Sequence, residues 1–137
     1  METAVKKIAV IGSGVIGAGW TIRFLTKNKI VNIYDPKTTQ HNFLIDEINR
    51  ISKSVLKYYK INKLNTKNLH FSNSIKETVK DADLIQENVT ENIVIKKKVV
   101  NEISQWSKKN SIIASSSSGL LPTDIQKSCI FPERFLI

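Results

Sequence analysis

Four of the five glycines in this 137-residue chain lie between Val10 and Trp20, in the stretch VIGSGVIGAGW. Glycine inside a helix or strand costs ~0.5–1 kcal/mol relative to alanine. Such a cluster marks a place where backbone must come close to something else. Gly12-x-Gly14-x-x-Gly17 follows a short apolar run and opens a helical pattern. In that context the first glycine permits a tight turn, the second lets backbone approach a pyrophosphate, and the third lets the helix pack on the strand. The first helical turn then presents free N–H groups and a partial positive charge to the anion. Gly12, Ser13, Gly14, Val15, Ile16 and Gly17 are the expected dinucleotide-binding loop. Gly19, one turn further on, is expected to help close packing.

This fingerprint needs a second part, an acid at the end of the next strand, about 20 residues on. Asp35 lies 18 residues after Gly17, behind the β-rich run IVNIY. A carboxylate there accepts hydrogen bonds from the adenosine ribose hydroxyls. It also repels a 2′-phosphate, so the expected cofactor is NAD rather than NADP. Lys37 works the other way, because it could pair with such a phosphate. A glycine-rich turn followed by a turn-forming Asp-Pro is the simpler reading, but the matched order and spacing favour the cofactor.

The surrounding elements must hold these residues in place. KKIAVI (6–11) reads as a strand buried on both faces, and helical character runs from Val15 to about Lys27. IVNIY (30–34) is a second strand, ended by Asp35-Pro36. Residues 38–61 carry Leu44, Ile48, Ile51, Val55 and Tyr58 at amphipathic helical spacing. LHFS predicts a short strand, and Ser74 to Glu77 form a capping box that starts a short helix. DLIQEN (83–88) predicts a strand, and 91–107 a helix with Ile95, Val99, Ile103 and Trp106 on its buried face. SIIAS (111–115) predicts a strand, SSSGL a loop, Pro122 a short helix and RFLI a last strand. This alternation implies one domain over residues 1–137. Its expected fold is α/β, a Rossmann-type doubly wound and mainly parallel sheet with helices on both faces.

Composition narrows the function classes. The net charge is +9, yet the excess is mostly lysine spread along the chain, with arginine only at Arg23, Arg50 and Arg134. No aromatic-interleaved basic motif argues for nucleic acid. Lys6-Lys7 before an apolar run imitates a signal sequence, but the run is too short and too rich in glycine to span a bilayer. Cys129 is the only cysteine. It offers no disulfide framework and no metal-ligand spacing, which fits a reducing cytoplasm.

Three stretches, IAVIGSGVIGAGW, DADLIQENVTENIVIKKKV and IIASSSSGLLPTDI, resemble the NAD-binding domain of the L-3-hydroxyacyl-CoA dehydrogenase family. With PERFLI at the end, the wording is most similar to the branch that contains L-carnitine dehydrogenase and the lambda-crystallin-like enzymes. The resemblance implies that Glu91 is the acid near the nicotinamide side of the cofactor and that Lys96 contacts the cofactor. It implies that Ser118 touches substrate and cofactor and helps orient the reacting oxygen, as the catalytic serine. Without the resemblance, Glu91 reads as an acid favouring a helix N-terminus, Lys96 as a solvated lysine, and the serines as a polar loop.

The implied reaction oxidises a secondary 3-hydroxyl with hydride transfer to NAD, on a small molecule such as an acyl-CoA or a 3-hydroxy acid like carnitine. The family's basic histidine belongs to a Gly-His-Pro-Phe-Asn-Pro-like motif after the sixth strand. This chain stops at PERFLI, and neither His41 nor His70 matches that position. The family's helical domain, with its homodimer interface, is also missing. The expectation is therefore a truncated chain carrying the cofactor half of an active site and inactive alone. A stand-alone NAD-binding or regulatory module is the alternative.

Overall fold

The computed structural model describes residues 5–137. Six strands form one sheet: β1 (Lys7–Ile11), β2 (Ile30–Tyr34), β3 (Leu69–Phe71), β4 (Leu84–Glu87), β5 (Ile112–Ser115) and β6 (Phe135–Leu136). Their order is β3-β2-β1-β4-β5-β6, and every pairing is parallel. This is the doubly wound order in which β1 lies at the centre and the winding reverses between β1 and β4. Five helices alternate with the strands: α1 (Val15–Thr26), α2 (Thr39–Tyr59), α3 (Ile75–Val79), α4 (Ile93–Trp106) and α5 (Pro122–Gln126).

The two-residue period of a strand distributes β1 between two cores. Ile8 and Val10 pack with α1 and α2 residues such as Ile22, Leu25, Leu44 and Ile48. Ala9 and Ile11 pack on the other face with Val79, Val100, Ile103 and Ile125. The α/β class read from the alternating pattern is the observed one, and the sheet is wholly rather than mainly parallel.

Two helical stripes differ from the sequence reading. In α4 the buried residues are Lys96, Val100, Ile103 and Ser104, while Ile95 and Trp106 are each 44% exposed. The helix is rotated so that Lys96 reaches an acid inside the sheet, and Trp106 instead lies under the Lys76 ammonium. In α2, Tyr58 is exposed rather than continuing the apolar stripe. A 21-residue helix is ~32 Å long, whereas a five-residue strand covers only ~17 Å, so the last turn of α2 runs past the sheet. The Ser74 cap forms as read: Glu77 N–H donates to Ser74 Oγ at 3.1 Å, and the Glu77 carboxylate accepts from Asn73 N–H.

The lower end of the sheet is tied by one carboxylate. Asp83 accepts the Lys6 and Lys7 backbone N–H groups at 2.9 Å and the Lys108 ammonium at 2.6 Å. The Lys108 contact, then the Lys7 N–H, hold its carboxyl down at about 2, against an ordinary 3.8. A depressed folded-state value contributes stability above the unfolded value, and this is lost as pH falls towards the folded one. Asp83→Asn is therefore expected to lower the melting temperature near neutrality, with the gap to wild type closing between about pH 5 and about pH 2. A gap that stays constant over that range in thermal melts would contradict the assignment.

Candidate cofactor site

The strands end in register. Ile11 lies beside Tyr34 and Glu87, and Glu87 beside Ser115. The next residues, Gly12, Asp35, Asn88 and Ser116, therefore form one rim at the carboxyl ends of β1, β2, β4 and β5. Three backbone bonds extend the ladder into that rim: Gly12 N–H to Tyr34, Asn88 N–H to Ile11 and Ser116 N–H to Glu87, at 2.8–2.9 Å. In open α/β sheets this rim, at the point where the winding reverses, is where ligands bind.

Two loop glycines are required by the protein's own packing. Gly12 has φ +90, and a Cβ on it would lie 2.9 Å from the Asn88 carbonyl oxygen. A Cβ on Gly17 would lie 1.9 Å from the Gly12 oxygen, because α1 crosses directly over the turn. Gly14 is different. It is exposed, and nothing comes within 4 Å of where its Cβ would be. It precedes α1 in extended conformation, no side chain caps the helix, and the first turn holds no acid. The open backbone, the uncapped N–H groups and the lack of negative charge suit a phosphate group. Gly19 also has open space around it, so the close-packing role expected of it does not hold.

Asp35 is more occupied than its spacing suggested. Its Oδ2 accepts Ser13 N–H at 2.9 Å and the Ser13 hydroxyl at 3.2 Å, and Oδ1 accepts Lys37 N–H at 2.9 Å. Ser13 is fully buried behind the loop. Both its donors face Asp35, so it ties the glycine turn to the end of β2 rather than facing a ligand. Val15 and Ile16 are exposed, at 72% and 57%. A cleft of about 630 Å³ runs outward from Gly12 and Gly14 past Asp35, Lys37 and Gln40 to Val99 and Glu102. That size and mixed lining suit half of a dinucleotide.

On the other side of β1, a second set of residues shapes the loop after β5. Glu91 lies in the turn before α4, whose actual cap is Asn92. The Glu91 carboxylate accepts the Ser117 hydroxyl and, at 3.1 Å, the Ser118 N–H. The Ser117 hydroxyl first, and the Ser118 N–H second, hold the Glu91 carboxyl below its usual range. Ser115 and Ser117 are buried, but Ser118 is exposed. Among the described residues no hydrogen bond uses the Ser118 hydroxyl. The four serines are thus an ordered loop with one free hydroxyl at the rim.

Lys96 is neither a solvated lysine nor placed at the ligand surface. It is 1% exposed, and its ammonium donates to Glu87 Oε1 at 2.9 Å, Glu87 Oε2 at 3.1 Å and the Val89 carbonyl at 3.0 Å. Glu87, fully buried, also accepts the Ser115 hydroxyl and Val89 N–H. The pair sits behind the loop that carries Glu91. Glu87, Asn88 and Ser116 were not singled out from sequence. The available signal was the polar triplet Gln86-Glu87-Asn88 inside a strand otherwise read as buried.

The two histidines lie elsewhere. His41 packs on the Phe71 ring at 4.1 Å between centroids, and His70 sits in β3 at the sheet edge. Among the described residues, no group of three or more His, Cys, Asp or Glu side chains could hold a metal ion. No helix among them is long and apolar enough to cross a membrane.

The sequence pattern of the 3-hydroxyacyl-CoA dehydrogenase NAD-binding domain matches residues 7–137. The chain belongs to the 3-hydroxyacyl-CoA dehydrogenase family. Within it, the chain is 42% identical over 132 residues to L-carnitine dehydrogenase of Oceanobacillus iheyensis, covering 96% of this chain and 43% of that protein. It is 38% identical to L-carnitine dehydrogenase of Bacillus cereus, covering 99% of this chain and 42% of the relative. The structure of 3-hydroxybutyryl-CoA dehydrogenase from Escherichia coli K12 superposes with a TM-score of 0.86 at 25% identity, over 96% of this chain and 29% of that one. The chain is thus an NAD-binding dehydrogenase domain and spans less than half the length of these family relatives.

The buried pair gives this family member a measurable internal support. Breaking a buried ion pair on one side costs about 3–5 kcal/mol, whereas replacing both partners can be nearly neutral. Lys96→Met is expected to destabilise by that amount in urea denaturation, and Glu87→Gln/Lys96→Met by clearly less. A double variant as unstable as the single one would show that charge pairing is not what holds this corner.

Proposed function

We propose that the chain supplies the cofactor half of an NAD-dependent dehydrogenase that oxidises a secondary 3-hydroxyl. The substrate class is an L-3-hydroxyacyl-CoA, L-carnitine or a similar 3-hydroxy compound. The observation that carries this reading is the unbonded hydroxyl of Ser118, a residue whose backbone N–H is held by Glu91 at the same strand ends as the glycine loop. A stand-alone NAD-binding module would share the glycine loop and Asp35. It would have no use for a presented hydroxyl on the far side of β1.

In this reading Gly14 and the first turn of α1 receive the pyrophosphate, and the Asp35 side faces the adenosine ribose. Both acceptor positions of Asp35 Oδ2 are taken by Ser13, but Oδ1 accepts only Lys37 N–H and keeps one position for a ribose hydroxyl. When bound, NAD supplies the hydride acceptor. Ser118 both donates and accepts hydrogen bonds, so it suits an oxygen that passes from alcohol to ketone. Glu91 orients the serine loop, and Lys96 acts through Glu87 to position the loop carrying Glu91. Taking the hydroxyl proton needs a base near Ser118. His41 and His70 stand on the β2–β3 side, so the proposed base belongs to the greater length seen in the relatives, together with the homodimer interface. No nucleic acid or membrane partner is part of the proposal, and the cytoplasm is its proposed compartment.

Two outcomes are expected. Titrated by fluorescence, the chain binds NADH more tightly than NADPH, and Asp35→Ala weakens NADH and narrows the preference by about tenfold, ~1.4 kcal/mol. Equal affinities in the wild type would overturn the role of Asp35. The 137-residue chain alone shows no NAD reduction with L-carnitine or L-3-hydroxybutyryl-CoA. Measurable turnover would refute the placement of the base.

A further inference from the structure

The glycine loop and the serine loop belong to different elements, and one side chain joins them. Trp20 stands on α1 one turn beyond Gly17 and donates its indole N–H to Ser116 Oγ at 3.2 Å. The same oxygen accepts Gln86 Nε2 at 2.9 Å and donates to Asn88 Oδ1 at 2.7 Å. A hydroxyl has one donor and two acceptor positions, and here all three are filled. Asn88 donates in turn to the Gln86 carbonyl, and its own carbonyl is the group that presses on Gly12. Trp20, Ser116, Gln86 and Asn88 therefore form one polar knot across the ends of β1, β4 and β5.

Burial does not force this bond. The Trp20 residue is 39% exposed, and its ring stacks on Phe24 with centroids 5.5 Å apart. Water could serve an indole N–H at such a surface, whereas a buried one must find a protein partner. The indole nevertheless turns towards the strand ends. Ser116 directly follows β5 and lies two residues before Ser118 in the same loop, so a shift at Ser116 is passed to the Ser118 hydroxyl. Glu91 holds the same loop from the opposite side.

We propose that Trp20 is a positioning residue whose bond to Ser116 sets the spacing between the first turn of α1 and the serine loop, and thereby the seat of the nicotinamide half of the cofactor. The inference rests on the cofactor reading above. Its side of action follows from the sheet. The cleft runs from Asp35 at the end of β2 past Gly12 to Asn88 and α4, whereas the Trp20–Ser116 bond itself lies outside its lining, at the end of β5. Strands are ~4.8 Å apart, so β2 and β5 are separated by about 14 Å, a span that a dinucleotide bridges. Loss of the brace should affect the nicotinamide end and spare the adenosine end.

The test compares NAD+ with ADP-ribose, which lacks only the nicotinamide, by calorimetric titration of wild type and Trp20→Phe. Phenylalanine keeps a stacking ring and removes the N–H. NAD+ is expected to bind about fivefold more weakly to the variant, a loss in the range of one hydrogen bond, with ADP-ribose within about twofold of wild type. Equal weakening of both ligands would signal general loosening, and no weakening would show an idle bond. Either overturns the brace while leaving the cofactor reading intact. A second measurement leaves Trp20 in place. In Trp106→Phe, which removes the other tryptophan, Trp20 emission should respond to NAD+ and not to ADP-ribose; no response to NAD+ overturns the proposal. A wild-type chain that binds neither ligand overturns the cofactor reading, and the brace with it.

Discussion

Gly17 lies so close to the Gly12 carbonyl that an added Cβ would stand 1.9 Å from its oxygen. This contact sets the start of α1 over the end of β1. With α1 seated there, Gly12 must turn with positive φ beneath it, and the Asn88 carbonyl closes against the same turn. Ser13 is then carried inside to the end of β2 and Trp20 outward to the end of β5. The pyrophosphate loop, the ribose side and the serine loop therefore share one datum. A bulkier residue at position 17 would lift α1 and disturb all three at once, because close-packed interiors transmit strain rather than absorb it.

Around that contact the chain uses carboxylates as struts. Asp35 holds the glycine turn, Glu87 the end of β4, Glu91 the serine loop and Asp83 the lower end of the sheet. Each accepts at least one backbone N–H that no regular strand or helix partner takes. A carboxylate suits this work because it offers several acceptor positions and makes charge-assisted bonds. Glu87 is the costly member of the set, since it is fully buried. The Lys96 ammonium offsets that cost, which explains why α4 turns a lysine rather than Ile95 towards the core.

The same arrangement separates residues that meet a ligand from those that support them. Gly14, the first turn of α1 and the Ser118 hydroxyl face the rim. Ser13, Lys96 and Glu87 lie behind it, and Ser116, though on the rim, has its hydroxyl fully bonded within the protein. Family resemblance gave Lys96 and Ser118 alike a place at the ligand, but their physical roles differ. A change in the second group acts by moving the first.

Much of the fold was legible in the linear pattern. Period-two and period-3.6 hydrophobicity, together with the Ser74 cap, located the strands and helices to within a few residues, since those signals arise from short-range geometry. The glycine spacing and Asp35 were legible for the same reason: a turn, a close approach and a strand end are local demands on backbone. What tertiary structure decided is where polar side chains point. Lys96 in LysLysLys, Glu87 in GlnGluAsn and the four serines look alike as a string. Pairing of β4 with β5 brings Glu87 beside Ser115, the packing of α4 brings Lys96 to the same carboxylate, and of the four serines only Ser118 is left exposed. Those partners lie nine, 26 and 96 residues apart along the chain in the Lys96–Glu87, Ser117–Glu91 and Trp20–Ser116 contacts. Local spacing by itself determined the cofactor-binding backbone, and only the packed sheet decided which side chains serve it.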